Sequence, residues 1–544
     1  MKKNRDSAHF CRVINLYKKW ALSPFFLALF LLFSINTAYA LPEGCQVVEG
    51  TAEFDTSVPN TLTVRPSDNA VINYNSFSIA ENESVYFYQA SANSNVLNNV
   101  ISQSQSNIAG YLYANGNIFI VNPNGIVFDS RANINVGSLV ASTMNIDPND
   151  FRSGNLVFRK INKDGQIVNQ AVIKVKDGGF IAILAQNIKN EGVLEADHGT
   201  VALASGNKAT LSFGDNKLIQ VVVDEPVTTN PTQAKDAIVN TGTIRADSGK
   251  VIITASAARD VFANAVNNEG MITAGKVVEN ADGSIALLAP EGNIENSGTM
   301  YASGDITIEA QKGDIIELAS ANITTETGDI AISSPTGNIT LSNVSSGGNL
   351  DISAPQGSIT QLEGTKLAVL GGDLLVDAPK LTLYDIQAST GRILIGSRVT
   401  PIQIAGLPHY IHTAGDIEVN ALASDAGITA LGTTHGDILK YATAGKVTLE
   451  ATNGKVTNIS GTAVPGDIVK LIGNQIGSIE EPFIVNAEVT HIYRNIGDID
   501  VVAVIDLEGD QVTIVGSVEG FGAVTYCSLK SLTLEAQNGG VTDS

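Results

Sequence analysis

Cysteine, tryptophan and basic residues are scarce in this 544-residue sequence, and each scarcity removes a class of explanation. Of its three cysteines Cys11 lies near the N-terminus, and only Cys45 and Cys527 remain beyond the leader described next. A chain this long with two cysteines is not a disulfide scaffold. Long apolar runs are almost absent: the one that stands out is Phe25–Phe33. It follows Lys2, Lys3, Arg5, Arg12, Lys18 and Lys19 and precedes Ala38-Tyr39-Ala40, the order of a secretory signal cleaved after Ala40. That leader also holds Trp20, the single tryptophan. The run is short for a membrane span and no second one follows, so no transmembrane segment is expected in the mature chain. Removing residues 1–40 takes six basic and one acidic residue from totals of 33 and 55, leaving 27 against 54 and a formal charge of −27. Such a surface repels nucleic acid and anionic lipid, and neither is expected as a partner.

What the sequence has instead is glycine at regular intervals. Pairs nine residues apart occur at Gly304 and Gly313, Gly328 and Gly337, Gly348 and Gly357, and Gly445 and Gly454. Successive pairs start 24, 20 and, counting to Gly372, 24 residues apart, the length of one coil of a β-solenoid. Between them side chains alternate, with Ile306, Ile308 and Ala310 on one face and Thr307 and Glu309 on the other. Further upstream Asn-x-Gly recurs at Asn190-Glu191-Gly192, Asn240-Thr241-Gly242, Asn268-Glu269-Gly270 and Asn296-Ser297-Gly298, leading without a linker into the glycine-paired half. The fold expected is all-β, a right-handed parallel β-helix with an N-terminal cap within 41–100 and small extra-helical hairpins. One such hairpin is expected where Leu156, Phe158 and Ile167 flank Lys163-Asp164-Gly165, with Arg152, Arg159 and Lys160 on a solvated face. Roughly twenty coils at about 4.8 Å would separate Cys45 from Cys527 by on the order of 100 Å, which excludes a bridge between them.

The stretch from Asn115 to Thr143 carries the strongest local signal. Pro123 fixes its own φ and pushes Asn122 into the extended region, and Asn122-Pro123-Asn124-Gly125 suits a type I turn. Apolar flanks Ile118–Val121 and Ile126–Phe128 make it strand, corner, strand, the second strand leaving sideways to pair with another coil. The corner with Ile126, followed by Asn135, Val136, Gly137, Ser138, Leu139, Val140, Ala141, Ser142 and Thr143, resembles the signature of the two-partner secretion domain of filamentous haemagglutinin-type exoproteins. Leu41-Pro42, Gln46-Val47-Val48, Gly50, Phe77-Ser78-Ile79, Val85–Gln89, Leu97–Val100, Ile108-Ala109-Gly110 and Ala114-Asn115-Gly116 agree in order. The resemblance implies a signal peptide over 1–40 with Ala38 and Ala40 at the cleavage site, a secretion domain over 41–300 and a solenoid repeat region over 301–544. It implies secretion to the surface of a Gram-negative-type bacterium through an outer-membrane β-barrel transporter with periplasmic recognition domains. An adhesive filament, with a host-cell or matrix receptor as further partner, is implied on the same ground.

Other chemistry is weakly supported. A β-helix polysaccharide lyase or glycosidase is the alternative, and Asp498, Asp500, Asp506 and Asp510 are its best carboxylate cluster, but Gly-Asp is the corner dipeptide of the whole repeat. His409 and His412 would point to opposite faces of a strand and lack a third ligand, so no metal and no cofactor are expected. Lys312-Gly313-Asp314 resembles an integrin-type tripeptide whose Gly-Asp belongs to the repeat. Leu532–Asn538 repeats an interior coil and no polar cap follows, so 524–542 is expected to fray or stack end to end.

Overall fold

The alternation in the sequence becomes a winding chain in which successive coils feed three sheets in turn, as the computed structural model shows. It describes residues 41–388 apart from 162, 164, 214–218, 231, 259, 276–282, 379 and 384, and beyond them strand backbone as far as Ala536. The leader, Cys527, His409, Asp510 and the side chains of His412, Asp498, Asp500 and Asp506 lie outside the described residues.

Three long sheets of 24, 12 and 15 strands run along the axis. Within the winding coils the pairing is parallel: Ile306 lies over Ile285 and under Ile330, which is followed by Leu350 and Leu374. All five are at most 1% exposed, and each such side chain contributes about 1.5–3 kcal/mol by leaving water. The chain from Leu41 is a parallel β-solenoid. Glycine spacing is explained by contact between coils: a Cβ on Gly357 would sit 1.8 Å from the Gly337 oxygen, and one on Gly328 2.1 Å from the Gly304 carbonyl carbon. Only glycine lets the backbones approach this closely.

The cap is smaller than 41–100. Gln46–Glu49 pairs antiparallel with Ala70–Tyr74, and Ala52–Asp55 pairs antiparallel with Thr61–Pro66, while Thr61–Pro66 already pairs parallel with the next coil. These two strands cross the first coil and cover its edge.

The excursion after Asn145 differs from the expected hairpin. Leu156–Arg159 pairs antiparallel with Lys208–Phe213, which pairs with Ile219–Glu225, whereas Gln166–Asn169 belongs to the solenoid. A local Asp-Gly turn signal was outweighed by burial, because Phe158, Ala209 and Leu211 close a second apolar cluster over the outer face of the 24-stranded sheet. A short helix, Pro148–Ser153, precedes it, capped by the Asp147 side chain on the Asn149 amide and ended by Gly154 at φ 78°. Phe151 anchors the helix, its ring 5.1 Å from that of Phe119.

The Asn-x-Gly repeats form a buried amide ladder. Asn169 Nδ2 donates to Asn190 Oδ1, Asn190 to Asn240, Asn240 to Asn268 and Asn268 to Asn296, at 2.7–2.8 Å. Asn296 Nδ2 then donates to Glu317 Oε2 at 2.6 Å. Glu317 is fully buried and its Oε1 has no partner. Burial pushes its carboxyl from an ordinary 4.5 up to about 8, against the opposing pull of the Asn296 bond. The folded chain therefore holds a proton that the unfolded chain releases near its ordinary value, and stability is fully present below that value and lost as pH rises through about 8. Urea midpoints measured from pH 5 to pH 8.5 should fall more steeply for the native chain than for Glu317→Gln. Parallel curves would show that Glu317 is not the group responsible.

Candidate functional site

The corner at Asn122 joins two sheets. Asn117–Val121 belongs to the 24-stranded sheet, between strands Asn95–Val100 and Ser138–Ser142, and Ile126–Phe128 belongs to the 12-stranded sheet. The Gly125 amide donates to the Asn122 oxygen at 3.0 Å, closing the turn. Gly125 has φ +112°, in the region that glycine tolerates best.

Asn122 is fully buried and its amide is saturated. Nδ2 donates to the Ser104 oxygen and to Ser106 Oγ, both at 2.9 Å, and Oδ1 accepts from the Asn124 backbone and side-chain amides at 3.0 Å. Asn124 Nδ2 also donates to the Ser102 oxygen at 2.9 Å. Both side chains thus tie the corner down to the loop of the preceding coil. From the following coil Gly165 closes over it, where a Cβ would lie 2.5 Å from the Pro123 oxygen. Every contact is between neutral amides, hydroxyls and backbone, so the corner does not titrate.

The second part of the signature is the next coil up. Ser138–Ser142 runs in register over Asn117–Val121, and the Asn122 amide donates to the Ser142 oxygen at 2.9 Å. Ile126, Val136, Leu139 and Ala141 fill the solenoid interior, while Val140 faces the second cluster under the excursion. Gly137 fits between Gly116 and Gly179, with its Cβ position 2.5 Å from the Gly116 oxygen. Ser142 Oγ donates to the Met144 oxygen, and Thr143 is buried beside Gly165. Asn135 is not part of this cluster: it is exposed, on a strand of the 15-stranded sheet. The structure therefore brings together residues 122–126 and 139–143 and leaves Asn135 apart. Sequence reading missed Ser102, Ser104, Ser106 and Gly165, since nothing in their local sequence points to a corner sixteen or more residues away.

Among the described residues no group of three or more His, Cys, Asp or Glu could hold a metal. Cys45 is a free, half-buried thiol, raised by burial. In Lys312-Gly313-Asp314 both charges are engaged, Lys312 Nζ with Glu291 Oε1 at 2.9 Å and Asp314 Oδ1 with the Asn338 amide at 2.7 Å.

Residues 40–308 match the family described as the TPS secretion domain. They are a two-partner secretion domain. A heme/hemopexin-binding protein of Haemophilus influenzae is 29% identical over 343 residues, 61% of this chain and 36% of that protein. A second protein of that name from the same species is 25% identical over 393 residues, 65% of this chain and 40% of its own length. The chain thus spans well under half the length of these relatives. Among solved structures, the HMW1 secretion domain from Haemophilus influenzae is 20% identical with TM-score 0.43, covering 91% of this chain and 100% of that one. A filamentous hemagglutinin secretion domain is 15% identical with TM-score 0.30, over 61% of this chain and all of that one. The chain is a two-partner secreted exoprotein. No helix among the described residues is long and apolar enough to cross a membrane.

Replacing Asn122 with alanine strands the buried Ser106 hydroxyl and the Asn124 amides and unties the Ser104 carbonyl, at a cost of about 1–3 kcal/mol. Asn124→Ala loses only partly exposed bonds. Denaturant titration of the two variants should rank Asn122→Ala clearly below Asn124→Ala, and equal midpoints would refute this account of the corner.

Proposed function

We propose that a signal over 1–40 takes the chain to the periplasm and that the secretion domain, 41–300, is recognised there by the periplasmic domains of an outer-membrane β-barrel transporter. The match over residues 40–308 is the observation that carries this reading. The repeat region, 301–544, is the exported cargo, presented at the cell surface as an adhesive filament. Residues 122–126 and 139–143 act as the export signature, with Asn135 available on the surface. The fold supports this assignment, because each strand of the coils pairs with its equivalent in the adjoining coil, and a chain emerging end first can wind as it leaves.

The reading is of a binding and surface protein without catalysis, metal or cofactor. The names of the two Haemophilus influenzae relatives favour a second reading of the cargo, capture of heme or hemopexin. Cell-adherence assays and pull-down with heme and with hemopexin separate the two, and a polysaccharide panel tests the lyase alternative.

Export should fail at the corner before anything else does. In cells carrying the transporter, Asn122→Ala with Asn124→Ala should lower the protein recovered from the medium several-fold while total synthesis stays unchanged. Native amounts of the double variant in the medium would sink the signature role.

A further inference from the structure

We infer that the cleft between the solenoid and its side layer binds a carboxylate-bearing sugar. The cleft encloses about 620 Å³, within the range of roughly 300–1,000 Å³ for small-molecule sites, which favour seams between packed units. One wall is a column of amides on successive coils: Asn117 Nδ2 donates to Asn95 Oδ1 and Asn95 Nδ2 to Asn69 Oδ1, each at 3.0 Å. The column leaves the Asn69 nitrogen and the Asn117 oxygen without a partner among the described residues, one donor and one acceptor. The opposite side carries aromatic rings, and its outermost, Phe213, is 55% exposed with its centroid 5.7 Å from that of Phe180.

Two cations, Arg152 and Lys176, line the same cleft in a chain of strongly negative charge. Its lining carboxylate, Asp177, is held by His198 Nδ1 at 2.5 Å. Arg152 reaches Glu49 at 2.6 Å through Nη1, and Lys176 Nζ reaches the Asn115 oxygen at 3.1 Å. Both are largely exposed at the rim, where an incoming anion can share them.

A pyranose acid uses all three features. Its C–H face lies on an aromatic ring, its hydroxyls both give and take hydrogen bonds with amides, and its carboxylate meets Arg and Lys. A fatty acid would bury the amide wall unsatisfied, and a neutral sugar would leave the cations unused. The sugar can be free or the terminal residue of an acidic glycan.

Ligand-observed NMR titration of the purified mature chain with glucuronate, monomeric galacturonate, galactose and a galacturonate trimer tests this. Glucuronate should bind about tenfold more tightly than galactose, a difference of about 1.4 kcal/mol. Arg152→Gln with Lys176→Gln should erase that preference, and Phe213→Ser should weaken both sugars, with melting curves unchanged because all three side chains lie at the surface. Tighter binding of the trimer than of monomeric galacturonate identifies a glycan end, and equal binding a free sugar acid. Absence of glucuronate binding, equal affinity for the two monosaccharides, or variants that bind as the native chain does would each overturn the assignment. The test stands apart from export, since the same chain can be secreted with an empty cleft.

Discussion

Backbone pairing between successive coils is the constraint from which the other features follow. In a parallel solenoid each strand finds its hydrogen-bond partners only in the coils directly before and after it, so a residue type that suits one coil is repeated above itself. Isoleucine therefore stacks on isoleucine from Ile285 through Ile306 to Ile330. Glycine stacks on glycine, because a single Cβ at Gly357 or Gly328 would hold two coils apart. Asparagine stacks on asparagine, because the amide is the side chain that can donate to one neighbour and accept from the other.

The same constraint separates the places where the chain leaves the pattern. The helix and the three-stranded sheet cannot join the coil ladder, so they lie on its outer face and bury a second apolar cluster of their own. Where that cluster ends, the seam stays open, and polar residues of the solenoid wall meet aromatic residues of the side layer. At the Asn122 corner the reverse holds: the chain changes sheet with no room left over, and the loop before it and Gly165 after it close every side.

Much of this was legible in the sequence, for reasons that can be named. Gly313, Gly337 and Gly357 mark coil length because close backbone approach admits no other residue, and the alternation at Ile306–Ala310 gives the buried face directly. Asn-x-Gly was visible as a repeat, but its meaning, a hydrogen-bonded column from Asn169 to Glu317, exists only once equivalent positions are stacked. The hairpin expected around Asp164 failed because Leu156–Arg159 found its partner about fifty residues on, in Lys208–Arg159 register that no local turn signal encodes. The short helix left a trace, Asp147-Pro148 with Gly154 beyond, that is weak without the burial of Phe151. For the corner, residue identity announced the turn, while its partners Ser102, Ser104 and Ser106 come from the preceding coil.

The end of the amide ladder follows from its direction. Each asparagine donates forward and accepts from behind, so the column needs a donor at its start and an acceptor at its finish. At the start Asn169 Oδ1 takes the Ala171 amide at 3.1 Å. At the finish Glu317 accepts from Asn296 through Oε2, while burial keeps the carboxyl protonated and leaves Oε1 without a partner. The register Ile315 on Ile339 brings Leu341 to the next place in the column, where no polar partner could continue it. An asparagine at 317 would carry two N–H donors into that apolar position where the protonated carboxyl carries a single O–H, so the carboxyl closes the column with less left unpaired, and its burial raises its proton affinity. The column closes within ten residues of the last position matched to the secretion domain. Beyond it the asparagine column is replaced by shorter buried ties, such as Ser342 Oγ to the Ala321 oxygen and Gln361 Nε2 to the Thr365 oxygen, alongside apolar stacking and glycine contacts.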